Sequence, residues 1–332
     1  MKKLLCASLL AAAAFSAEGY KVLNKIKIGG TGGWDYLSVD PGAHRLYASH
    51  GGEVDVVDLS TGKLAGKIEQ LHGVHGIALA PELNKGFITN GQSKSVTVFN
   101  LKTLEKMGEP ATGDNPDAVC YEPKTQRIVT FNGRSNDATV INAKNNEIVA
   151  TIPVGQKPEN CAVDGAGKMY ANIENTSEVV EIDVAKAAVM RRASLAPCED
   201  PSGLAIDVKN KKLFSVCSNK LMAVTDIPTM KVVATPAIGS GPDGAGFDAG
   251  SGCAFSSNGD GTMSVVKPVN GKYETVETLT TERGARTMTV DPVNHREYML
   301  AAEMGPAPQG KDGKKGRPQA LPDSFHVIVI GK

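Results

Sequence analysis

A pattern of about 42 residues repeats along this chain and breaks off one strand short of completion at the C-terminus. Six copies run complete, a seventh stops at Val327 to Lys332, and Val22 to Gly29 at the other end reads as the absent final strand. The register is set by an acidic or turn residue closing a short apolar strand. These anchors are Asp40, Ala80 (before Pro81), Glu122, Asp164, Asp207, Asp248 and Asp291, spaced 40, 42, 42, 43, 41 and 43 residues apart. Blades of four strands repeat at about this period, so seven anchors predict an all-β, seven-bladed β-propeller. Its ring is closed by an N-terminal strand that completes the last blade and removes the free edges of an open array.

Side-chain size alternates behind each anchor. One residue before it stand Val39, Leu79, Tyr121, Val163, Ile206, Phe247 and Val290; two before it stand Ser38, Ala78, Cys120, Ala162, Ala205, Gly246 and Thr289. A period of two is a strand, and strands that converge on an axis have room only for the small file. A second strand (Arg45 to Ala48, Lys212 to Ser215) and a third (Val54 to Asp58, Val96 to Asn100) follow. Turns such as Asp58 to Lys63 lead into an outer strand, as at Ile148 to Gly155 and Val232 to Gly239.

Lys2 and Lys3, the apolar run Leu4 to Phe15 and the step at Ala14-Phe15-Ser16 read as a secretory signal peptide over residues 1–16, followed by one propeller domain over 17–332. Cys6 stands too early for a lipoprotein cleavage site, and no later apolar run reaches spanning length, so the exported chain is expected to be soluble, in the periplasm or outside the cell. Loss of Lys2 and Lys3 leaves 34 basic against 36 acidic residues. That balance supplies no overall field for a phosphate backbone. Residues 304–324, rich in Gly, Pro and Lys, interrupt the last blade between its second and third strands and read as a mobile surface loop, or a lid over the ring mouth.

The segments YASHGGEVDVVDLSTGK and FITNGQSKSVTVFNLKT resemble the Tyr-Val-Thr-Asn (YVTN) β-propeller repeat of periplasmic YncE-like proteins. GGWDYLSVDP, GVHGIALAPE, NPDAV, FNGRSNDATVI, PSGLAID, FSSNGDGTMSVV and RGARTMTVDP are similar to an exported bacterial branch of that family, and the resemblance covers residues 20–332. It implies the fold and leaves the activity open, because the wider superfamily holds DNA-binding, lactone-hydrolysing, amine-dehydrogenase-subunit and haem-associated propellers.

Five cysteines follow the leader. Cys198 precedes an inner strand and Cys217 ends the second strand of the same blade, so a disulfide between them is expected in an oxidising compartment. Cys120 and Cys161, on inner strands, and Cys253 read as buried thiols. No CxxC or CxxCH occurs, and thioredoxin chemistry and covalent haem lack support. The histidines are His44, His50, His72, His75, His295 and His326. His72 and His75 are close enough to share a metal, but no third ligand follows at recognisable spacing, so no metal is assigned, although a ring can assemble ligands from several blades. Gly239 to Gly244 matches GxGxxG without the helix that gives the motif its phosphate site, and GxSxG and HExxH are absent.

The polar residues left are those on loops that converge at the ring mouth. Before the inner strands stand Trp34, Asp35, His75, Asp117, Glu159, Asp243, Arg283 and Arg286; beside the second-to-third-strand loops stand His50, Asn90, Asn132, Arg134, Asn172, Glu174 and Asn258. Such mouths bind ligands because many loops aim at one axis. Trp34 is placed to stack on a ligand or to pack beneath a loop. Arg134, Arg283 and Arg286 either clamp a carboxylate or phosphate or pair with neighbouring acids. The leading expectation is a noncatalytic periplasmic propeller that binds a small molecule or a periplasmic protein at this face, without a cofactor. The alternatives are a hydrolase or lactonase using a divalent ion in the channel, and a single-stranded nucleic-acid binder dependent on Arg134 or Arg286.

Overall fold

A computed structural model describes residues 19–307, 316 and 318–332. The predicted leader, residues 1–16, and the middle of the insertion lie outside the described residues. Within them 28 strands, numbered β1 to β28 in chain order, form seven four-stranded antiparallel sheets. Every sheet but one is built from four consecutive strands. The exception joins β26 (Met288–Asp291), β27 (Arg296–Ala301), β28 (His326–Gly331) and β1 (Lys21–Lys27). Strand β1 runs antiparallel to β28 from Lys21 opposite Gly331 to Lys27 opposite His326, with a bulge between Val22 and Asn24. The chain is a seven-bladed β-propeller whose N-terminal strand completes its last blade.

The anchors owe their chemistry to the turn after the inner strand. Asp40 accepts the Ala43 N–H at 3.0 Å, Glu122 that of Thr125 at 2.7 Å, Asp207 that of Asn210 at 2.9 Å and Asp291 that of Val293 at 2.8 Å. A carboxylate that bonds the backbone two or three residues on folds the chain back as a tight turn. Ala80 lacks one, and there a short 3-10 turn, Pro81–Leu83, does the same work with Asn84 left-handed at its end.

Seven apolar clusters hold the ring, one between each pair of neighbouring blades. The joint between the last and first blades is equivalent to the others: Ile26, Leu300 and Val327 pack on Leu37, Leu46 and Val57. At the joint between the sixth and last blades Tyr20 meets Phe255 edge-on at 5.2 Å, and the Lys332 ammonium lies 4.8 Å from the Tyr20 ring centre. A central cavity of about 420 Å³ is lined by the small file Ser38, Ala78, Cys120, Ala162, Ala205, Gly246 and Thr289 and, against expectation, by every large-file residue but Val39.

Cys198 and Cys217 are bridged within the fifth blade, Cα to Cα 5.7 Å, and Cys253 is a free buried thiol, as expected. The expectation of thiols at Cys120 and Cys161 is overturned: they form a second disulfide, Cα to Cα 6.2 Å, across the third and fourth blades in the channel wall. Their separation of 41 residues is one short of the 42 between Glu122 and Asp164, so they occupy opposite faces of neighbouring inner strands and point at each other. The insertion also differs from a structureless loop at its base. The Gly305 N–H bonds the Gln319 carbonyl at 2.8 Å, the Leu321 N–H bonds that of Glu303 at 2.7 Å, and Met304 bridges Ala320, so its ends form a two-stranded ribbon.

One buried carboxyl works against this fold as pH rises. Glu297 on β27 is fully buried, and neither carboxyl oxygen has a hydrogen-bond partner among the described residues. Burial, and beyond it the nearby Asp248 carboxylate, raise its pKa to about 8. The unfolded chain releases this proton near pH 4.5 and the folded chain near 8, so stability falls as pH rises through that window. Glu297→Gln is expected to raise the melting temperature at pH 8, by up to the equivalent of roughly 4 kcal/mol, and to change it little at pH 4. Equal melting of the two proteins at pH 8 would show that the carboxyl is relaxed by solvent.

Candidate functional site at the channel mouth

Five residues before each anchor, where the chain turns down into the inner strand, stand Asp35, His75, Asp117, Glu159, Ser202, Asp243 and Arg286. One blade supplies each of them, so the shared register sets a single polar ring at the top of the channel. Sequence reasoning named six of the seven separately and missed Ser202, whose hydroxyl donates to the Pro242 carbonyl at 3.0 Å. The offset from the anchors is the signal that unites them.

Around this ring the side chains fall into pairs. His75 Nδ1 lies 2.6 Å from Asp35 Oδ2 and 3.2 Å from Asp117 Oδ1, three blades meeting at one imidazole. Lys157 binds Glu159 at 3.2 Å and also Glu174. Arg286 Nε lies 3.1 Å from Asp243 Oδ2 with its side chain half exposed. Five carboxylates thus face three cationic partners, and proton affinities show the imbalance. Burial raises the Asp243 pKa to about 7 against the pull of Arg286, with Asp35 and Asp117 adding to the rise. Burial raises Asp117 to about 6, opposed by His75 and reinforced by Asp35. Burial, a hydrogen bond with Glu174 and the Asp117 charge push Glu159 up to about 10, so it is the protonated partner of that carboxyl pair. Burial opposes a charged His75, yet its bond to Asp35 and the Asp117 charge raise its pKa.

Tyr36 lines the cavity just beneath the ring. Burial, and the carboxylates of Asp243, Glu159, Asp35 and Asp117 around it, hold its phenol protonated. The backbone beneath the ring is tied from blade to blade. The Asp35 N–H donates to Ser49 Oγ at 2.8 Å, and its carbonyl accepts from Thr287 Oγ1 at 2.6 Å. Buried Thr89 accepts from the Gly76 N–H at 2.7 Å and donates to the Asp117 carbonyl at 3.0 Å. Gly76 is required by this approach, because a Cβ there would stand 2.9 Å from the Asp117 carbonyl oxygen.

Beside the ring opens a cleft of about 970 Å³. Thr31, Gly32, Gly33 and Trp34 form one side, and Met304 to Pro306 with Pro318 to Pro322 on the insertion ribbon form the other, with Gly284 and Arg286 at the ring end. Trp34 is half-buried against Phe325 at 5.6 Å, so it packs under its loop on one face and bounds the cleft.

The other expected mouth residues divide by place. Asn90, Asn132 and Asn258 end second strands but point inward. Asn132 binds Asp137 and Thr139, Asn258 binds Thr262 and Ser264, and Asn90 binds Thr97, each across its own hairpin. Asn172 ties the fourth blade to the Ser202 and Gly203 carbonyls. His50 is buried too: Nδ1 meets Asp55 at 2.9 Å, the ring stacks on Phe325 at 4.2 Å, and a Cβ at Gly30 would stand 2.8 Å from it. It supports the glycine loop rather than facing the opening. Arg134 and Arg283 are exposed at the rim, and His72 takes no part in the His75 cluster.

No family model matches this chain, and no curated protein sequence matches it. Solved structures do, in 1794 chains, a breadth that identifies architecture and nothing narrower. One is a chain of the Kuenenia stuttgartiensis hydrazine synthase structure, with a TM-score of 0.69 and 17% identity, covering 85% of this chain and 96% of that one.

Proposed function

We propose that this chain is an exported, noncatalytic propeller of the YVTN-repeat kind that binds a small organic ligand in the cleft beside the channel mouth. The observation that carries the reading is the cleft itself. Its volume of about 970 Å³ suits a small molecule, Trp34 stands on one wall and Met304, Leu321 and prolines on the other, and its ring end presents the Arg286 guanidinium. A flat apolar body with a carboxylate fits both features, since the guanidinium edge not held by Asp243 takes a carboxylate by two parallel hydrogen bonds. Export is supported by two disulfides, which persist in oxidising compartments. The carboxylate ring makes the same face a poor track for a phosphate backbone, which weighs against nucleic acid as the ligand.

Trp34 is the chain's single tryptophan, so tryptophan emission, excited to the red of the tyrosine band, reports this cleft. Titration with a panel of aromatic and alicyclic carboxylates at millimolar concentration is expected to give a saturable emission change for at least one member. Arg286→Ala should weaken that binding by roughly 10-fold, the value of about 1.4 kcal/mol for a charge-assisted contact. No saturable change across the panel, together with an unmoved melting temperature, would remove the cleft from consideration.

A further inference from the structure

We propose that Asp35, His75 and Asp117 form a binding site for one divalent first-row transition ion at the channel mouth, distinct from the organic-ligand cleft. Their ligand atoms, Asp35 Oδ2, His75 Nδ1 and Asp117 Oδ1, all lie within 4.8 Å of one another. The imidazole nitrogen stands 2.6 and 3.2 Å from the two oxygens. Ligands about 2.0 to 2.2 Å from a common ion lie roughly 3 Å apart, so an ion that replaces the shared Nδ1 proton needs little movement of the protein. Imidazole with two carboxylates suits zinc, cobalt, manganese or iron(II) better than calcium or magnesium, which favour all-oxygen shells.

Two further features separate this cluster from a chance meeting of charges. The ligands stand on or beside inner strands of three blades, and their backbones are held by buried contacts: Ser49 and Thr287 fix Asp35, and Thr89 fixes both Gly76, next to His75, and Asp117. Rigid support of this kind orients metal ligands. Second, Tyr36 is 9% exposed, stands among the carboxylates of the ring, Asp243 and Glu159 first and then Asp35 and Asp117, and its hydroxyl has no hydrogen-bond partner among the described residues. Over an ion with three protein ligands, that hydroxyl is the donor available to a water or anion in an open coordination position.

A second cluster, His50, Glu53 and Asp55, has a similar donor set and provides the control. There the imidazole is clamped between Phe325 and the glycine loop, and Lys67 already pairs with both acids, at 2.6 and 3.1 Å. The untagged chain, freed of metal by chelation, is titrated with Zn²⁺ and Co²⁺ by calorimetry, and the Co²⁺ form is read by its visible absorption. One ion per chain is expected, with a melting temperature that rises with ion concentration. Affinity should fall by roughly 100-fold in His75→Ala and in Asp117→Asn and stay unchanged in Glu53→Gln. Circular dichroism establishes that the variants are folded, and Asp117→Asn, which keeps the side-chain shape, serves if His75→Ala is not. Absence of binding at 1 mM ion, undiminished binding in the folded His75 or Asp117 variants, or loss only in Glu53→Gln would overturn the proposal. The Trp34 titration is run on metal-free protein, so failure of the ion site leaves the cleft reading to its own result.

Discussion

Deletion of residues through Ile28 is expected to lower the melting temperature by roughly 10 °C, about 5 kcal/mol for a chain of this size. Strand β1 contributes one fully packed side chain, Ile26, and a ladder of pairs with β28 that ends at Lys27 opposite His326. Burial of an Ile is worth about 2 to 3 kcal/mol, and each net backbone bond about 1 kcal/mol, partly offset by the entropy of ordering the strand. The deletion also bares β28, whose Val327, Ile328 and Ile330 are fully buried in the complete ring. An apolar edge of that kind invites pairing with another chain. Thermal melts and light scattering of the truncated and complete proteins are the measurement. A synthetic peptide spanning Lys21 to Ile28, added in trans, should restore stability by donating the missing strand. Identical melting of the two proteins would mean that three strands suffice for the last blade and that closure by β1 contributes nothing.

Reduction of both disulfides is expected to cost about 7 kcal/mol on the chain-entropy account, the larger share from Cys120–Cys161. That bridge closes a loop of 41 residues and the Cys198–Cys217 bridge one of 19, equivalent to about 4 and about 3 kcal/mol. Cys120→Ser with Cys161→Ser should therefore lower the melting temperature more than Cys198→Ser with Cys217→Ser. Differential scanning calorimetry of the two double variants, with and without reductant, separates the terms. If both melt like the parent, the cross-links are redundant with the apolar packing between blades.

Much of the fold was legible because a repeat converts position into place. Every member of the small file from Ser38 to Thr289 lines the central cavity, but so do six of the seven large residues that alternate with it, so side-chain size did not decide which file reaches the channel. The same reasoning, carried further, would have paired Cys120 with Cys161, since an offset one residue short of the repeat turns the two side chains toward each other across a blade boundary. It would also have found Asp35, His75 and Asp117, which lie 40 and 42 residues apart. A motif search fails there because the ligating residues are adjacent only after the ring closes. Side-chain direction was less accessible. His50, Asn90, Asn132 and Asn258 end strands that reach the loop face, yet satisfying buried hydrogen-bond groups on the hairpin turned them inward. The cleft was hidden for a different reason: its second wall is the insertion ribbon, which belongs to no repeat.

The ring of one residue per blade has a bearing on how such a protein changes over time. Asp35, His75, Asp117, Glu159, Ser202, Asp243 and Arg286 form a seven-letter address, and each letter sits on a separate copy of the same scaffold. The apolar clusters that hold neighbouring blades together include none of these seven positions. A substitution at one letter therefore edits the chemistry presented at the axis while sparing the packing that keeps the wheel intact, so descendants can exchange their ligands one blade at a time.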